Sequence, residues 1–206
     1  MILSNKFVFL HLPKTGGSFV RELFVQHAPQ EWQIDLHDNH PSIRDIPASH
    51  SQLPLFGLVR NPFDWYVSWY HYLKLHRNDP FFNQISQQGN LDFKSTICAA
   101  FEVDIGAMFQ FPCHFSSSPF GCYMNYIFGN DLAALELGKM ESLRFDLRTI
   151  LKKFEALTDR IDQQLDTFPV VNTSDHLPYR DYYDESLKTL ILQRDKDVLE
   201  RFEYRF

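Results

Sequence analysis

Residues 7 to 28 most limit how this chain can fold, because a short apolar run, a glycine turn and an amphipathic stretch follow one another there without a gap. The run from Phe7 to Leu10 is β-prone and wholly apolar, as expected of a strand that is covered on both faces. Pro13 ends this run, and Gly16-Gly17 allow backbone angles that a side chain forbids. Apolar residues then recur at helical spacing. The segment therefore predicts a strand, a tight turn and a helix with Ser18 as its N-cap.

This turn has the features of a phosphate-binding site. The free N–H groups and the dipole at a helix start favour a bound phosphate, and Lys14 adds a cation beside them. The P-loop of nucleoside-triphosphate-binding proteins has the pattern GxxxxGK[ST], in which the lysine follows the glycines. Here Lys14 precedes the glycines, and no GK[ST] occurs in the chain. The turn therefore predicts a phosphate site of a different kind.

A second strand–helix unit carries another candidate phosphate ligand. Leu55 to Val59 form a short apolar run, and Asn61 and Pro62 suit the N-cap and the first position of a following helix. Arg60 then lies at the carboxyl end of the strand, and its planar fork of donors suits a phosphate group. Ser68 follows about two turns into the helix.

The two motifs together resemble those of sulfotransferases. The string HLPKTGGS, from His11 to Ser18, resembles their 5′-phosphosulfate loop. The segment from Arg60 to Tyr70 resembles their 3′-phosphate motif, in which an arginine and a serine eight positions later hold that phosphate. The chain is thus similar to the enzymes that use 3′-phosphoadenosine 5′-phosphosulfate (PAPS), in particular the carbohydrate, membrane-associated group and its bacterial relatives. Residues 139–154 and the C-terminal segments resemble that group more loosely, and residues 78–131 match no pattern.

The resemblance implies a fold, a reaction and a set of ligand residues. The fold is an α/β, P-loop-NTPase-like three-layer arrangement, with a mostly parallel central sheet flanked by helices, in one domain over residues 1–206. The reaction moves a sulfuryl group from PAPS to a hydroxyl or amine of a glycan or small metabolite. It releases adenosine 3′,5′-bisphosphate (PAP) and uses no metal. The residues implied to bind the nucleotide are Lys14, Thr15, Gly16, Gly17, Ser18, Arg60, Ser68, Asn172 and Ser174.

A base is needed beside the acceptor hydroxyl, and histidine suits that task at neutral pH. His11, His37 and His40 all follow predicted strands, and ligands of α/β sheets bind beyond the carboxyl ends of strands. We favour His40, which precedes a short predicted helical turn as in bacterial relatives. His37 is the alternative, with Asp35 or Asp38 as its orienting partner, and an acidic side chain is a third possibility. We interpret His11 as structural support for the phosphate loop.

Two other functions stay open at this stage. The first is a nucleoside or small-molecule kinase. The order of residues in the turn, with the lysine before the glycines, counts against it. The second is a relative that binds the nucleotide without turnover. The acceptor and the oligomeric state cannot be derived from the sequence.

Composition limits the partners and the compartment. The net charge of −6 and the lack of a lysine or arginine run give no reason to expect nucleic acid. No signal peptide is recognisable, and no apolar run is long enough for a membrane span. The spacing of Cys113, His114 and Cys122 fits no zinc pattern. We therefore expect free thiols and a cytoplasmic protein.

Periodicity predicts the remaining elements. Alternation over residues 31–36 predicts a strand, and helical spacing predicts helices over residues 62–77, 91–103 and 142–157 and from residue 185 onward. Residues 109–122 read as irregular, and residues 159–175 as a loose tether.

Overall fold

The computed structural model describes residues 1–76, 79–103, 118–171 and 176–206. The chain divides into two compact units, one of Met1–Arg60 with Ile127–Thr173 and one of Asn61–Tyr126 with Ser174–Phe206. Within the described residues the secondary structure is α/β, as predicted. The single domain over residues 1–206 stays a prediction.

The first unit contains a five-stranded sheet in the order β3-β1-β2-β4-β5. Its strands are β1 (Ile2–Leu3), β2 (Val8–Leu10), β3 (Asp35–Leu36), β4 (Leu55–Val59) and β5 (Leu135–Lys139). The strands β2, β4 and β5 are parallel, whereas β1 pairs antiparallel with both β2 and β3. The sheet is therefore mixed rather than mostly parallel, because the N-terminal strand β1, absent from the sequence prediction, inserts between β3 and β2.

The described residues form nine helices, of which six match or extend segments discussed above. They are α1 (Gly17–His27), α2 (Pro62–His76), α3 (Pro80–Ile85), α4 (Phe93–Phe101), α5 (Pro119–Phe128), α6 (Leu143–Lys153), α7 (Asp159–Thr167), α8 (Glu185–Arg194) and α9 (Lys196–Arg201). Short 3₁₀ turns occur at Gln30–Trp32, Ile43–Asp45, Ala48–His50, Leu132–Ala134, Met140–Ser142 and Tyr179–Tyr182.

Helices α1, α6 and α7 cover one face of the sheet in the first unit. Phe7 and Phe9 from the β2 segment, together with Phe56 and Leu58 of β4, form a buried cluster with the apolar faces of these three helices. Alternation along each strand places these four side chains on the same face. Burial of a large apolar side chain contributes about 1.5–3 kcal/mol. This packing therefore fixes α1, and with it the turn that precedes α1, against the end of β2.

Three sequence predictions need correction. Residues 159–175 are not a loose tether over their first half, because α7 occupies Asp159–Thr167 and buries Ile161 and Leu165 in the core. The segment taken as irregular contains the start of α5 at Pro119, while residues 109–117 lie outside the described residues. The strand expected over residues 31–36 is short, because Gln30–Trp32 forms a 3₁₀ turn and only Asp35–Leu36 pairs with β1.

The prediction of free thiols is confirmed for Cys98 and wrong for Cys122, which is disulfide-bonded. Cys113 and His114 lie outside the described residues. In the part of the chain that the structure describes, no helix is both long enough and apolar enough to cross a bilayer.

The second unit is organised around a buried carboxyl group at the junction of α8 and α9. Asp195 is fully buried, and its two oxygens accept hydrogen bonds from Tyr66 Oη at 2.9 Å and from Ser118 Oγ at 2.5 Å. Burial raises the pKa of Asp195 to about 7, although both hydrogen bonds oppose that shift. Asp195 thus links α2, the start of α5 and the C-terminal helices through a single group that titrates near neutrality.

We expect Asp195 to make the protein less stable as the pH rises. The folded state holds this proton up to about pH 7, whereas the unfolded chain loses it near the ordinary value of 3.8. The stability that the group contributes is complete below the unfolded pKa and is lost as the pH rises through the folded one. A difference of about three pKa units corresponds to about 4 kcal/mol in the free energy of unfolding. The free energy of unfolding, measured with denaturant at several pH values, should therefore decline more steeply with pH for the wild type than for Asp195→Asn. Equal pH slopes for both proteins would contradict this assignment.

Candidate functional site

The strands of the first unit bring four segments to the same edge of the sheet. The parallel pairing of β2 with β4 places the residues after Leu10 and after Val59 at one edge. Because β1 is antiparallel to both β2 and β3, strand β3 runs in the direction of β2, so the segment after Leu36 also leaves at that edge. The residues after Lys139 of β5 join them. Lys14, Arg60, His37 and His40 all belong to these segments, as expected from the sequence.

The turn between β2 and α1 forms a concave surface of backbone N–H groups. Lys14 and Gly16 both have left-handed backbone angles, with φ of 65° and 88°. Thr15 is buried, and its hydroxyl donates a hydrogen bond to the Leu12 carbonyl at 2.7 Å, which closes the turn. The N–H groups of Thr15, Gly16 and Gly17 have no hydrogen-bond partner among the described residues. A turn of alternating handedness at a helix start is a typical anion-binding arrangement.

The cap of α1 differs from the prediction. The N-cap is Gly16, without a side-chain cap, and Ser18 is the second residue of the helix. The left-handed angle of Gly16 explains the difference, since glycine adopts this conformation without steric cost and the helix begins two residues earlier than predicted. A Cβ atom at position 16 would also overlap the side chains of Met140 and Leu143. Ser18 therefore remains in the first turn, although as a helical residue rather than as the cap.

Two cations meet at this turn. The Nη1 atom of Arg60 donates a hydrogen bond to the Lys14 carbonyl at 3.0 Å. Burial, and after it the charge of Arg60, lowers the pKa of Lys14 from 10.5 to about 8. An anion bound between the two side chains would remove part of this repulsion. The geometry therefore favours a multiply charged anion in the turn.

The imidazole of His40 is held in one tautomer. Its Nδ1 atom lies 3.0 Å from the His11 carbonyl oxygen. Because a carbonyl oxygen can only accept, Nδ1 carries the proton and Nε2 carries the lone pair. Nε2 makes no hydrogen bond within the described part of the chain. Burial lowers the pKa of His40 below 6.5, although the bond to the carbonyl opposes this shift. His40 is thus neutral at pH 7 and can accept a proton.

His37 has a different environment. Its Nε2 atom lies 3.0 Å from Asp35 Oδ2, and the side chains of both residues are substantially exposed. The other predicted partner, Asp38, instead accepts a hydrogen bond from Arg21 Nη1 at 2.7 Å. The structure brings His40, rather than His37, into contact with the turn through His11. The role of His37 as an alternative base stays a prediction.

The other predictions for the site concern Asn61, Ser68, Asn172 and Ser174. Asn61 caps α2 as expected, because its Oδ1 accepts a hydrogen bond from the Phe63 N–H at 3.2 Å. Ser68 belongs to the second unit, where it is buried within α2, and its position relative to Arg60 stays a prediction. Asn172 and Ser174 lie outside the described residues.

The sequence suggested His11 as support for the phosphate loop but did not show that its ring also contacts His40. A Cβ atom at Gly17 would overlap the imidazole of His11, so this ring lies directly on the first turn of α1. The same ring meets that of His40 edge to face, with 4.6 Å between the ring centroids. The position of His11 at the end of a buried strand was the available signal, but only the packing shows what the ring contacts.

Comparison with protein-family models, with curated proteins and with solved structures finds no significant match to this chain.

We expect anion binding in the turn to be coupled to proton uptake by Lys14. At pH 8 about half of the Lys14 amines are neutral, and a bound anion raises their pKa, so binding draws protons from the buffer. Sulfate is a suitable probe because it does not itself titrate there. Calorimetry in two buffers of different ionisation enthalpy should show uptake of up to about half a proton per sulfate.

The Lys14→Met variant should bind sulfate more weakly and without proton uptake. The matched control is Lys6→Met, since Lys6 is exposed and precedes β2 at the opposite edge of the sheet. Undiminished proton uptake in Lys14→Met would show that another group titrates.

Proposed function

We propose that this protein is a sulfotransferase that uses PAPS as its donor. The observation that carries the proposal is the hydrogen bond from Arg60 to the Lys14 carbonyl, which brings a second cation to a phosphate turn whose lysine precedes its glycines. This pairing joins the two motifs on which the resemblance to sulfotransferases depends. It also supports the finer fold assignment, a P-loop-NTPase-like three-layer arrangement around the parallel strands β2, β4 and β5.

The residues present suit the donor. The N–H groups of Thr15, Gly16 and Gly17, with the first turn of α1 and Ser18, would hold the 5′-phosphosulfate. Lys14 would contact the bridging oxygen on which charge develops. Arg60 would hold the 3′-phosphate with Ser68, and the segment with Asn172 and Ser174 would close over the nucleotide. Two side-chain cations oppose the charge of the donor, and the proposal includes no metal.

His40 is the proposed base. Its Nε2 atom accepts the proton of the acceptor hydroxyl as the acceptor oxygen forms a bond to sulfur. The bond between sulfur and the 5′-phosphate oxygen breaks, and the electron pair remains on the departing phosphate, where Lys14 and the N–H groups of the turn stabilise it. The proton on His40 then passes to solvent. Each product is accounted for: a sulfate ester, PAP and one proton.

The acceptor is proposed only as a class, a hydroxyl or amine of a glycan or small metabolite. Incubation with labelled donor and a cell extract, followed by mass spectrometry of the sulfated product, would identify it. A cytoplasmic location stays a prediction, and the disulfide at Cys122 weighs against a reducing compartment.

Nucleotide preference tests the proposal directly. We expect PAP to bind more tightly than ATP, with or without Mg²⁺, because the resemblance assigns Arg60 and Ser68 to a 3′-phosphate that ATP lacks. Arg60→Ala should weaken PAP binding by about 1.5–3 kcal/mol, the usual contribution of a hydrogen bond to a charged group. Adenosine 5′-phosphate is the control ligand. Because it lacks the 3′-phosphate, the Arg60→Ala substitution should weaken its binding much less than it weakens the binding of PAP. Preference for ATP would favour a kinase and overturn the proposal.

Substitution of the two histidines tests the base. His40→Ala should lower kcat by about 10²–10⁴-fold, the usual contribution of a general base, with PAP affinity nearly unchanged. His37→Ala should change kcat little, because His37 pairs with Asp35 on the exposed side. Since burial lowers the pKa of His40 in the free protein, the acid limb of the kcat/KM profile should lie below pH 6.5. Loss of turnover in His37→Ala alone would assign the base to His37.

A further inference from the structure

One side chain connects the proposed base to the phosphate turn. The imidazole of His11 lies between two neighbours, the His40 ring, whose centroid is 4.6 Å away, and the first turn of α1 at Gly17. The contact with Gly17 is so close that no other residue type fits at position 17 without moving the ring. His11 also stacks on Phe9 of β2, with 5.9 Å between ring centroids. The ring is therefore held by the sheet on one side and by the helix on another.

His11 contacts His40 through its backbone as well as its side chain. Its carbonyl oxygen accepts the Nδ1 proton of His40 and thereby selects the tautomer with a basic Nε2 atom. Its ring then supports the same imidazole from the side. One residue thus sets both the protonation and the direction of the proposed base.

The backbone that presents His40 requires such support. Asn39 and His40 both have left-handed angles, with φ of 62° and 49°, which cost free energy in residues other than glycine. Strained conformations of this kind persist only where surrounding contacts determine them. The contacts of His11 with His40 hold His40 in this conformation.

The His11 ring is suited to a steric role. Burial, followed by the nearness of His40, holds the pKa of His11 well below its ordinary value, so the ring is neutral. Neither ring nitrogen has a hydrogen-bond partner among the described residues. The ring therefore acts on its neighbours through its shape and its flat faces rather than through a hydrogen bond or a charge.

We propose that His11 is a positioning residue that couples the base to the donor site, because its ring packs against both the His40 imidazole and the N-terminal turn of α1. The inference rests on the proposed function for the identity of His40 as the base. It changes the interpretation of His11, which the sequence alone suggested as support for the phosphate loop only. PAP would bind in the turn that His11 packs against. Donor binding and the orientation of the base therefore depend on the same packed residues.

The experiment compares His11→Ala with His11→Phe. Phenylalanine keeps a flat ring against Gly17 and His40 but can neither accept nor donate a proton, whereas alanine removes the ring. Both variants retain the backbone carbonyl that bonds to His40. We expect His11→Ala to lower kcat by about 10²-fold, the effect of a misplacement of about 1 Å, with a much smaller change in the KM for PAPS. His11→Phe should retain most of the wild-type kcat.

A spectroscopic measurement separates this inference from the proposed function. NMR titration of His40 in the free protein should show its pKa rising toward 6.5 in His11→Ala, because removal of the ring exposes the imidazole to water, and staying low in His11→Phe. The nitrogen shifts should report a mixture of His40 tautomers only in His11→Ala. His50, which lies in a separate 3₁₀ turn, is the internal control, and its ring signals should be the same in all three proteins.

The outcomes are distinct. If His11→Phe is as inactive as His11→Ala, a ring nitrogen takes part in the reaction and the positioning role is overturned. If the pKa and tautomer of His40 are the same in the wild type and His11→Ala, the coupling is overturned even where PAP binds. If wild-type protein does not bind PAP but His40 responds as expected, the proposed function fails while the packing relation stands.

Discussion

The hydrogen bond between the Arg60 guanidinium and the Lys14 carbonyl is the interaction on which the candidate site depends. It exists because β2 and β4 are neighbours and parallel, so that two loops separated by more than forty residues leave the sheet at the same edge. The bond fixes a carbonyl of the turn and at the same time brings a second positive charge to it. Burial, and after it this charge, lowers the pKa of Lys14, and a bound anion would relieve the repulsion between the two cations.

The candidate cations and the candidate base follow different strands at the same edge of the sheet. Lys14 and Arg60 follow the adjacent strands β2 and β4, whereas His40 follows β3, on the far side of β1. Burial keeps His40 and His11 uncharged, so the imidazoles do not add to the repulsion between the cations. A sulfuryl transfer requires both environments, since positive charge must meet the departing phosphate while the base must be free of its proton. The strand order therefore keeps the two positive charges apart from the uncharged base.

Three residues with a strained backbone lie where these environments meet. Lys14, Asn39 and His40 are left-handed residues other than glycine, and all three lie at this edge. The packing that offsets the strain is substantial on the side of the sheet covered by α1, α6 and α7, where aromatic residues of β2 and β4 are fully buried. A rigid support of this kind allows a short turn to keep an unfavourable conformation that presents its N–H groups and side chains outward.

Local sequence patterns predicted several features of this protein. They are the strand, turn and helix over residues 7–28, the Asn61 cap, the helices near residues 143 and 185, and the positions of Lys14 and Arg60 after the ends of their strands. Such features depend on periodicity and on residue types that act within a few positions. Pairing across the sheet was decided only by the tertiary structure. The antiparallel β1, a strand of two residues, carries too little pattern to be recognised, yet it sets the direction of β3 and hence the edge at which His40 lies. The contact between His11, Gly17 and His40 likewise joins residues from separate segments. No sequence period encodes such a contact, because it depends on how close-packed side chains meet after the strands have paired.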